Sequence, residues 1–256
     1  LTNACELHCP FCYAPKVPGR LDAGTVISWI EELDSAGALG VGFGGGEPSA
    51  HPDFGWLCVE AARRTTMAVT FTTHGHRIGA DLAATLRGAV HFIRVSMDGI
   101  GSTYERLRGR PFDLFLRQLE LIATIAPFGL NVVINDETVC DLDAIASLAG
   151  RVGATEILLL PEQPVGDRPG ITPAACGRLV EWVSNSAPGV RVTISEASPI
   201  DGVPLADPFP DERPLEAHVH VDAIGVLRPN AYATAGVKLG TSFLESLEAL
   251  RAAMTA

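Results

Sequence analysis

Positive charge is scarce in this chain: 19 Lys and Arg stand against 30 Asp and Glu, a formal net charge of −11. Nucleic-acid affinity is dominated by Lys and Arg neutralising phosphates, so a nucleic-acid partner is not expected. Long apolar runs are missing too. No stretch reaches the roughly 18 residues a membrane-spanning helix needs, so no membrane partner is expected, and no signal-peptide pattern is visible. Paired cysteines are also lacking. Cys58, Cys140 and Cys176 are far apart and unclustered, which reads as structural thiols in a reducing, cytoplasmic setting rather than a disulfide framework. What remains is a 256-residue chain, 47% hydrophobic, enough for one large α/β core with a small appendage.

Against that background the first dozen residues stand out. Cys5, Cys9 and Cys12 follow C-x3-C-x2-C spacing in Leu1-Thr-Asn-Ala-Cys-Glu-Leu-His-Cys-Pro-Phe-Cys. Three thiolates on one short loop can hold three irons of a cubic cluster whose full protein cage needs four. With no fourth cysteine nearby, one iron stays open to bind and orient a small molecule. The competing reading is a structural zinc site of these three cysteines with His8.

Two further segments weigh against zinc. Gly44-Gly45-Gly46-Glu47-Pro48 follows an apolar run, and Arg94-Val-Ser96-Met-Asp98-Gly99 closes another. With Phe11 just before the last cysteine, these three elements, in this order, resemble the signature of radical S-adenosylmethionine (radical SAM) enzymes. The resemblance implies one 4Fe–4S cluster on Cys5, Cys9 and Cys12, with S-adenosylmethionine (SAM) chelated at the open iron. Gly45, Gly46, Glu47 and Pro48 would receive the methionine amino group, with glycine needed for close backbone approach. Ser96 and Asp98 would bind the ribose, Thr73 and Asn135 would add polar contacts, and Phe11 and Tyr13 would flank the adenine. One electron from an external donor such as flavodoxin or ferredoxin would split SAM to a 5′-deoxyadenosyl radical that takes hydrogen from a substrate.

The periodicity agrees with the fold this implies. Short β-rich runs alternate with helical runs, the pattern of βα units and a parallel sheet. Strands are expected at 41–43, 68–73, 91–96, 130–135 and 156–161, with helices between them at 53–64, 80–86, 112–125 and 141–152. Asp22 caps an earlier helix carrying Val26, Ile27, Ile30 and Leu33, which Gly37 ends. A sixth strand is expected just ahead of Cys5, with residues upstream of Leu1 to supply it. The result is an α/β fold, a partial (β/α)6 TIM-like barrel over 1–166, with a small α+β extension over 167–256. Cys5, Glu47, Thr73, Ser96, Asn135 and Pro161 all fall at or just after strand ends, where parallel barrels collect their chemistry.

The extension reads as a helix near 173–186, a strand at 190–194, a hairpin over 217–229 and a closing helix at 242–253. Between them 198–214 carries five prolines and several acids, and reads as a solvated connection or a lid. The tail resembles the SPASM/twitch extension of peptide-modifying radical SAM enzymes. It lacks that extension's auxiliary-cluster cysteines, because Asn230 stands where the first is expected. A peptide substrate is therefore the leading expectation. A sugar, nucleoside or antibiotic intermediate, or a non-catalytic iron–sulfur or zinc module, are the alternatives. Cys140, beyond the strand ending at Asn135, is a candidate hydrogen donor. Arg106, Arg108 and Arg110 read as surface ion pairs or an anionic-substrate contact.

Overall fold

The computed structural model describes residues 1–206 and 215–255. Six strands form one parallel sheet in strict chain order: β1 (Gly40–Phe43), β2 (Ala68–Thr73), β3 (Phe92–Ser96), β4 (Phe128–Ile134), β5 (Glu156–Pro161) and β6 (Arg191–Ile194). The sheet does not close: among the described residues β1 and β6 are its two edges. Strands β2, β3 and β5 show the two-residue alternation of a sheet with two different faces. In β2, Val69 and Phe71 are buried under helices, while Thr70 and Thr72 face the cleft and are only half-buried.

The helices cover the convex face. Helix α1 (Ala23–Ser35) starts where the Asp22 carboxylate accepts the Thr25 N–H at 2.9 Å, and it buries Val26, Ile27, Trp29 and Ile30. Helices α2 (Phe54–Arg64), α3 (Ala80–Leu86), α4 (Ser102–Arg108), α5 (Phe112–Ala123), α6 (Leu142–Val152) and α7 (Pro173–Asn185) follow, with Gly153 in the left-handed conformation ending α6. Their apolar stripes and the outward strand residues form one core, with Phe54, Leu57, Phe71, Ile93, Leu119 and Ile122 at most 1% exposed. Among the described residues no helix is long and apolar enough to cross a membrane.

Ahead of Cys5, Thr2 makes a parallel bridge to Gly45 and an antiparallel one to Arg20. The sixth strand is Arg191–Ile194, which pairs in parallel with β5 from Glu156↔Arg191 to Leu159↔Ile194. That segment had been assigned to the extension, so the main sheet runs past Gly166. Helix α4, about two turns shortly after Gly99, also escaped the periodicity because seven residues carry too little pattern.

The tail forms a three-stranded antiparallel sheet, β7 (His220–Val221), β8 (Val226–Arg228) and β9 (Val237–Lys238), followed by α8 (Phe243–Thr255). It is tied to the barrel by one carboxylate. Glu32 on α1 accepts from Ser242 Oγ at 2.6 Å and from the Phe243 and Leu244 N–H groups at 2.7 and 3.2 Å, capping α8 from outside. Phe243 packs edge-on to Trp29, ring centroids 6.4 Å apart. Of the 198–214 connection, residues 207–214 lie outside the described residues.

Candidate functional site

The cysteine loop is fixed by backbone pairing on both sides. Gly46 N–H donates to Thr2 O at 2.6 Å and Glu47 N–H to Ala4 O at 2.8 Å; on the other side Asn3 N–H reaches Gly19 O and Leu21 N–H reaches Leu1 O, both at 3.0 Å. The glycines are required by this approach. A Cβ on Gly45 would sit 2.3 Å from Thr2 O, and one on Gly46 2.5 Å from Ala4 O; Gly45 also holds φ +137°. The close approach these two glycines permit is to the segment leading into Cys5, and both also line the cleft.

Each sulfur faces a nitrogen donor. Leu7 N–H lies 3.4 Å from Cys5 Sγ, Arg108 Nη1 3.5 Å from Cys9 Sγ and Lys16 Nζ 3.2 Å from Cys12 Sγ. Burial pushes the Cys5 and Cys9 thiols up, opposed at Cys5 by the Leu7 N–H and at Cys9 by Arg108. The spacing argues against a single zinc ion. Zinc–sulfur bonds of about 2.3 Å hold tetrahedral ligands within roughly 4 Å of one another. Among the described residues the group whose ligand atoms all lie within 4.8 Å is Cys5, Glu6 and His74, not the three cysteines. His8, the proposed fourth zinc ligand, is exposed and outside that group. Three separated thiols, each with a donor, suit a larger cluster.

The cysteines open into one broad cleft that runs along the inner face of the sheet, with the strand-end residues Glu47, Thr73, Ser96 and Pro161 at one end and residues of the small antiparallel sheet also lining it. Phe11, Tyr13, Gly45, Gly46, Glu47, Thr73 and Ser96 all line it; Pro48 and Asn135 do not. Tyr13 stacks obliquely on Tyr232 from the tail, ring centroids 4.7 Å apart. The wall is polar and unfinished: Arg94 Nη1, Arg108 Nε and Asn131 Oδ1 are buried there without hydrogen-bond partners. Buried polar atoms are normally satisfied, so these fit a polar ligand such as SAM.

Several expected ligand contacts are already engaged within the protein. Glu47, 1% exposed, accepts from Thr73 Oγ1 at 2.8 Å, Ser49 Oγ at 2.6 Å and His74 N–H at 3.0 Å, so its carboxylate braces the glycine loop against the end of β2. Asn135 gives its amide N–H to Glu162 Oε2 at 2.7 Å and accepts the Glu137 and Thr138 N–H groups, each at 3.0 Å. Asp98 is fully buried; its Oδ1 accepts the Val133 N–H at 2.6 Å and its Oδ2 meets Arg108. Asp98 lines the cleft and Asn135 does not, and both groups have partners inside the protein. Cys140 is exposed, its Sγ beside Asp136 O, and it does not line the cleft.

Three site residues were missed. Arg108 was read only as part of a surface triplet. Arg106 fits that reading, exposed and paired with Glu137, but Arg108 turns inward with a 10% exposed side chain. Glu162, 3% exposed and held by Arg168, lines the cleft just after β5. His74 lies 3.3 Å from Glu47 and 3.5 Å from Glu6. A charged residue directly at a strand end was the available signal for the last two.

Arg108 is positioned by the aromatic packing under α4. Tyr104, one turn earlier, is fully buried against Phe115 at 4.7 Å and shares a 2.8 Å hydrogen bond with His76 Nε2. Burial pushes the His76 imidazole down to about 4. His76 therefore stays neutral in the fold where the unfolded chain takes up a proton. Its contribution to stability is complete above about pH 6.5 and is lost as pH falls toward about 4. Urea midpoints at about pH 7 and about pH 4.5 are expected to differ less in His76→Gln than in the unaltered chain. Equal losses would place the acid sensitivity elsewhere, His220 first, which burial also pushes down to about 4.

Comparison with known proteins places this geometry. The sequence pattern of the Radical SAM superfamily matches residues 1–149. The mycofactocin maturase MftC of Mycobacterium tuberculosis is 35% identical over 163 residues, covering 60% of this chain and 41% of that protein. The PqqA peptide cyclase of Gluconobacter oxydans is 30% identical over 175 residues, covering 65% of this chain and 49% of that one. The chain thus spans less than half the length of these curated relatives. In fold it resembles Streptococcus suis SuiB bound to S-adenosylmethionine, at TM-score 0.73, 12% identity, and coverage of 93% of this chain and 61% of that one. It also resembles anSMEcpe with bound AdoMet, at TM-score 0.71, 16% identity, and coverage of 97% and 78%.

Proposed function

The chain belongs to the radical SAM superfamily, and on that premise we propose that it reductively cleaves SAM and acts on a peptide. Cys5, Cys9 and Cys12 would hold the 4Fe–4S cluster, and the residues lining the cleft beside them would hold SAM. The observation that carries this reading is the cysteine loop locked onto the Gly45–Gly46–Glu47 turn by main-chain hydrogen bonds, with all three cysteines lining one cleft that also holds unpaired buried polar atoms. When bound, the cluster supplies the one electron that splits SAM.

The protein's own contribution is positioning and exclusion of water. Glu47, held by Thr73, Ser49 and His74, keeps the glycine turn rigid under the loop. Gly45 and Gly46 leave backbone open to a ligand on the cleft side, and Ser96 offers a hydroxyl to the ribose there. Phe11, 8% exposed, gives the apolar wall for an adenine. The tail residues Tyr232 and His220 face the same cleft and would contact the substrate. The division into a core over 1–166 and an extension over 167–256 is retained as a functional one, the second part supplying the substrate side. An external one-electron donor of the flavodoxin or ferredoxin class and a reducing, cytoplasmic setting complete the proposal.

A peptide is favoured because the relatives named above include a maturase and a peptide cyclase, and SuiB is known bound to the precursor peptide SuiA. The test is anaerobic reconstitution with iron and sulfide, followed by SAM and dithionite. About four irons per chain and formation of 5′-deoxyadenosine are expected. A bound cluster with no SAM cleavage would reduce the chain to a binding module. Adding a candidate precursor peptide is expected to raise the 5′-deoxyadenosine yield and change the peptide's mass; the same response to a sugar or nucleoside alone would overturn the peptide reading.

A further inference from the structure

We propose that the buried Arg108–Asp98 ion pair sets the reduction potential of the cluster through Cys9, an inference that rests on the cluster assignment above. A buried ion pair is weak evidence of a role in stability, because desolvating two charges costs about as much as their attraction returns. This one is also poorly placed for stability. It lines the cleft, and Arg108 Nε has no partner.

The guanidinium is held from four sides. Nη2 meets the Asp98 carboxylate, Nη1 points at Cys9 Sγ from 3.5 Å, Cζ lies 5.6 Å from the centre of the Phe11 ring, and Gly109 in the left-handed conformation ends α4 immediately behind it. Asp98 is itself fixed by the Val133 N–H at 2.6 Å and is 0% exposed. The three sulfurs are treated differently. Cys5 receives a neutral backbone N–H and Cys12 the exposed Lys16, whose charge water screens. Only Cys9 receives a cation held in a buried, low-dielectric setting by its own counter-ion.

The consequence follows from charge. Reduction adds one electron, delivered by the external donor, and makes the cluster more negative by one. A fixed cation at a ligating sulfur stabilises that state and raises the potential, since hydrogen bonds to the sulfurs and local charge both set it. A fixed carboxylate one contact further away lowers it. The two members of the pair therefore act with opposite signs. A merely structural role would not produce that pattern, because loss of either partner would disturb the loop in the same sense.

The experiment is an EPR-monitored redox titration of the reconstituted chain without SAM, with iron counted in every sample. Arg108→Gln is expected to lower the midpoint by at least the 59 mV that corresponds to a tenfold change for one electron. Asp98→Asn is expected to raise it. Arg108→Lys, which keeps the charge, is expected to fall between Arg108→Gln and the unaltered chain. Arg106→Gln, two residues away on the exposed face, is expected to leave it unmoved. Should Arg108→Gln fail to retain iron, Asp98→Asn and Arg108→Lys still decide the question. Shifts of the same sign in Arg108→Gln and Asp98→Asn, or an unmoved midpoint in clusters of full iron content, would overturn the proposal alone. An unaltered chain that takes up no cluster would overturn it together with the reading it rests on.

Discussion

Cys12→Ala is expected to fold normally, to hold no stable four-iron cluster and to form no detectable 5′-deoxyadenosine under conditions where the unaltered chain does. Cys12 sits at the cleft, half-buried, on a loop with no core side chains of its own apart from Leu7 and Phe11. Removing its sulfur takes away one of three cluster ligands and the hydrogen bond from exposed Lys16, and nothing from the apolar core. Surface changes away from core, cap and network positions shift stability by no more than about 0.5 kcal/mol, so the urea midpoint should barely move. The contrast is Cys58→Ala. Cys58 is 0% exposed on α2, and burial pushes its thiol up to about 12, the mark of an inert packing sulfur. Its loss is expected to cost roughly 1 kcal/mol of stability and to leave iron content and SAM cleavage intact. Iron and sulfide assays beside thermal melts separate the two. Full iron content and undiminished 5′-deoxyadenosine in Cys12→Ala would remove Cys12 from the metal site and leave the loop's function unexplained.

These two cysteines also illustrate what was readable before the structure. The spacing of Cys5, Cys9 and Cys12 is a local property, set by the reach of one loop, and local properties survive in sequence. The parallel α/β sheet was readable for the same reason: β2 to β5 fall close to where period-two runs predict them. Partnership across the chain was not. Whether Arg108 or Arg106 turns inward depends on α4, seven residues long, and on Tyr104 anchoring it to Phe115. The periodicity of so short a helix is lost in the turn that follows Gly99. Asp98 and Asn135 follow the ends of β3 and β4 closely, but a strand end does not specify direction. Asp98 turns to the Val133 N–H and Asn135 to Glu162, and only the tertiary fold supplies those partners. The strand at 190–194 was recognised as part of the extension, and its pairing with β5 was not readable because a four-residue strand carries no information about which edge it will join.

The glycine turn yields the second large effect. Gly46→Ala is expected to detach the cysteine loop from the turn while leaving the sheet intact. A Cβ at Gly46 would lie 2.5 Å from Ala4 O and 2.6 Å from Asn3 O. Both are backbone oxygens, which cannot rotate away as the end of a side chain can. Relief must come from moving residues 3 and 4, and that movement breaks the Gly46 N–H to Thr2 O and Glu47 N–H to Ala4 O hydrogen bonds. Overpacking of this kind costs about 1–3 kcal/mol. Here the cost falls on a loop outside the core, so it is expected to appear as local opening rather than global unfolding. Hydrogen exchange should show the Gly46 and Glu47 amides losing protection while Val69, Phe71 and Ile93 keep theirs. Iron uptake and SAM cleavage should fall with the loop, since Cys5 follows Ala4 directly. Gly44→Ala is the matched control: it lies in the same glycine run, yet a Cβ there meets nothing within 4 Å. It is expected to retain protection and iron. If Gly44→Ala and Gly46→Ala lose iron equally, the run serves a ligand along its whole length and not the seating of the cysteine loop. If Gly46→Ala alone loses it while the core amides stay protected, the glycine at that position is explained by the backbone oxygens of Asn3 and Ala4.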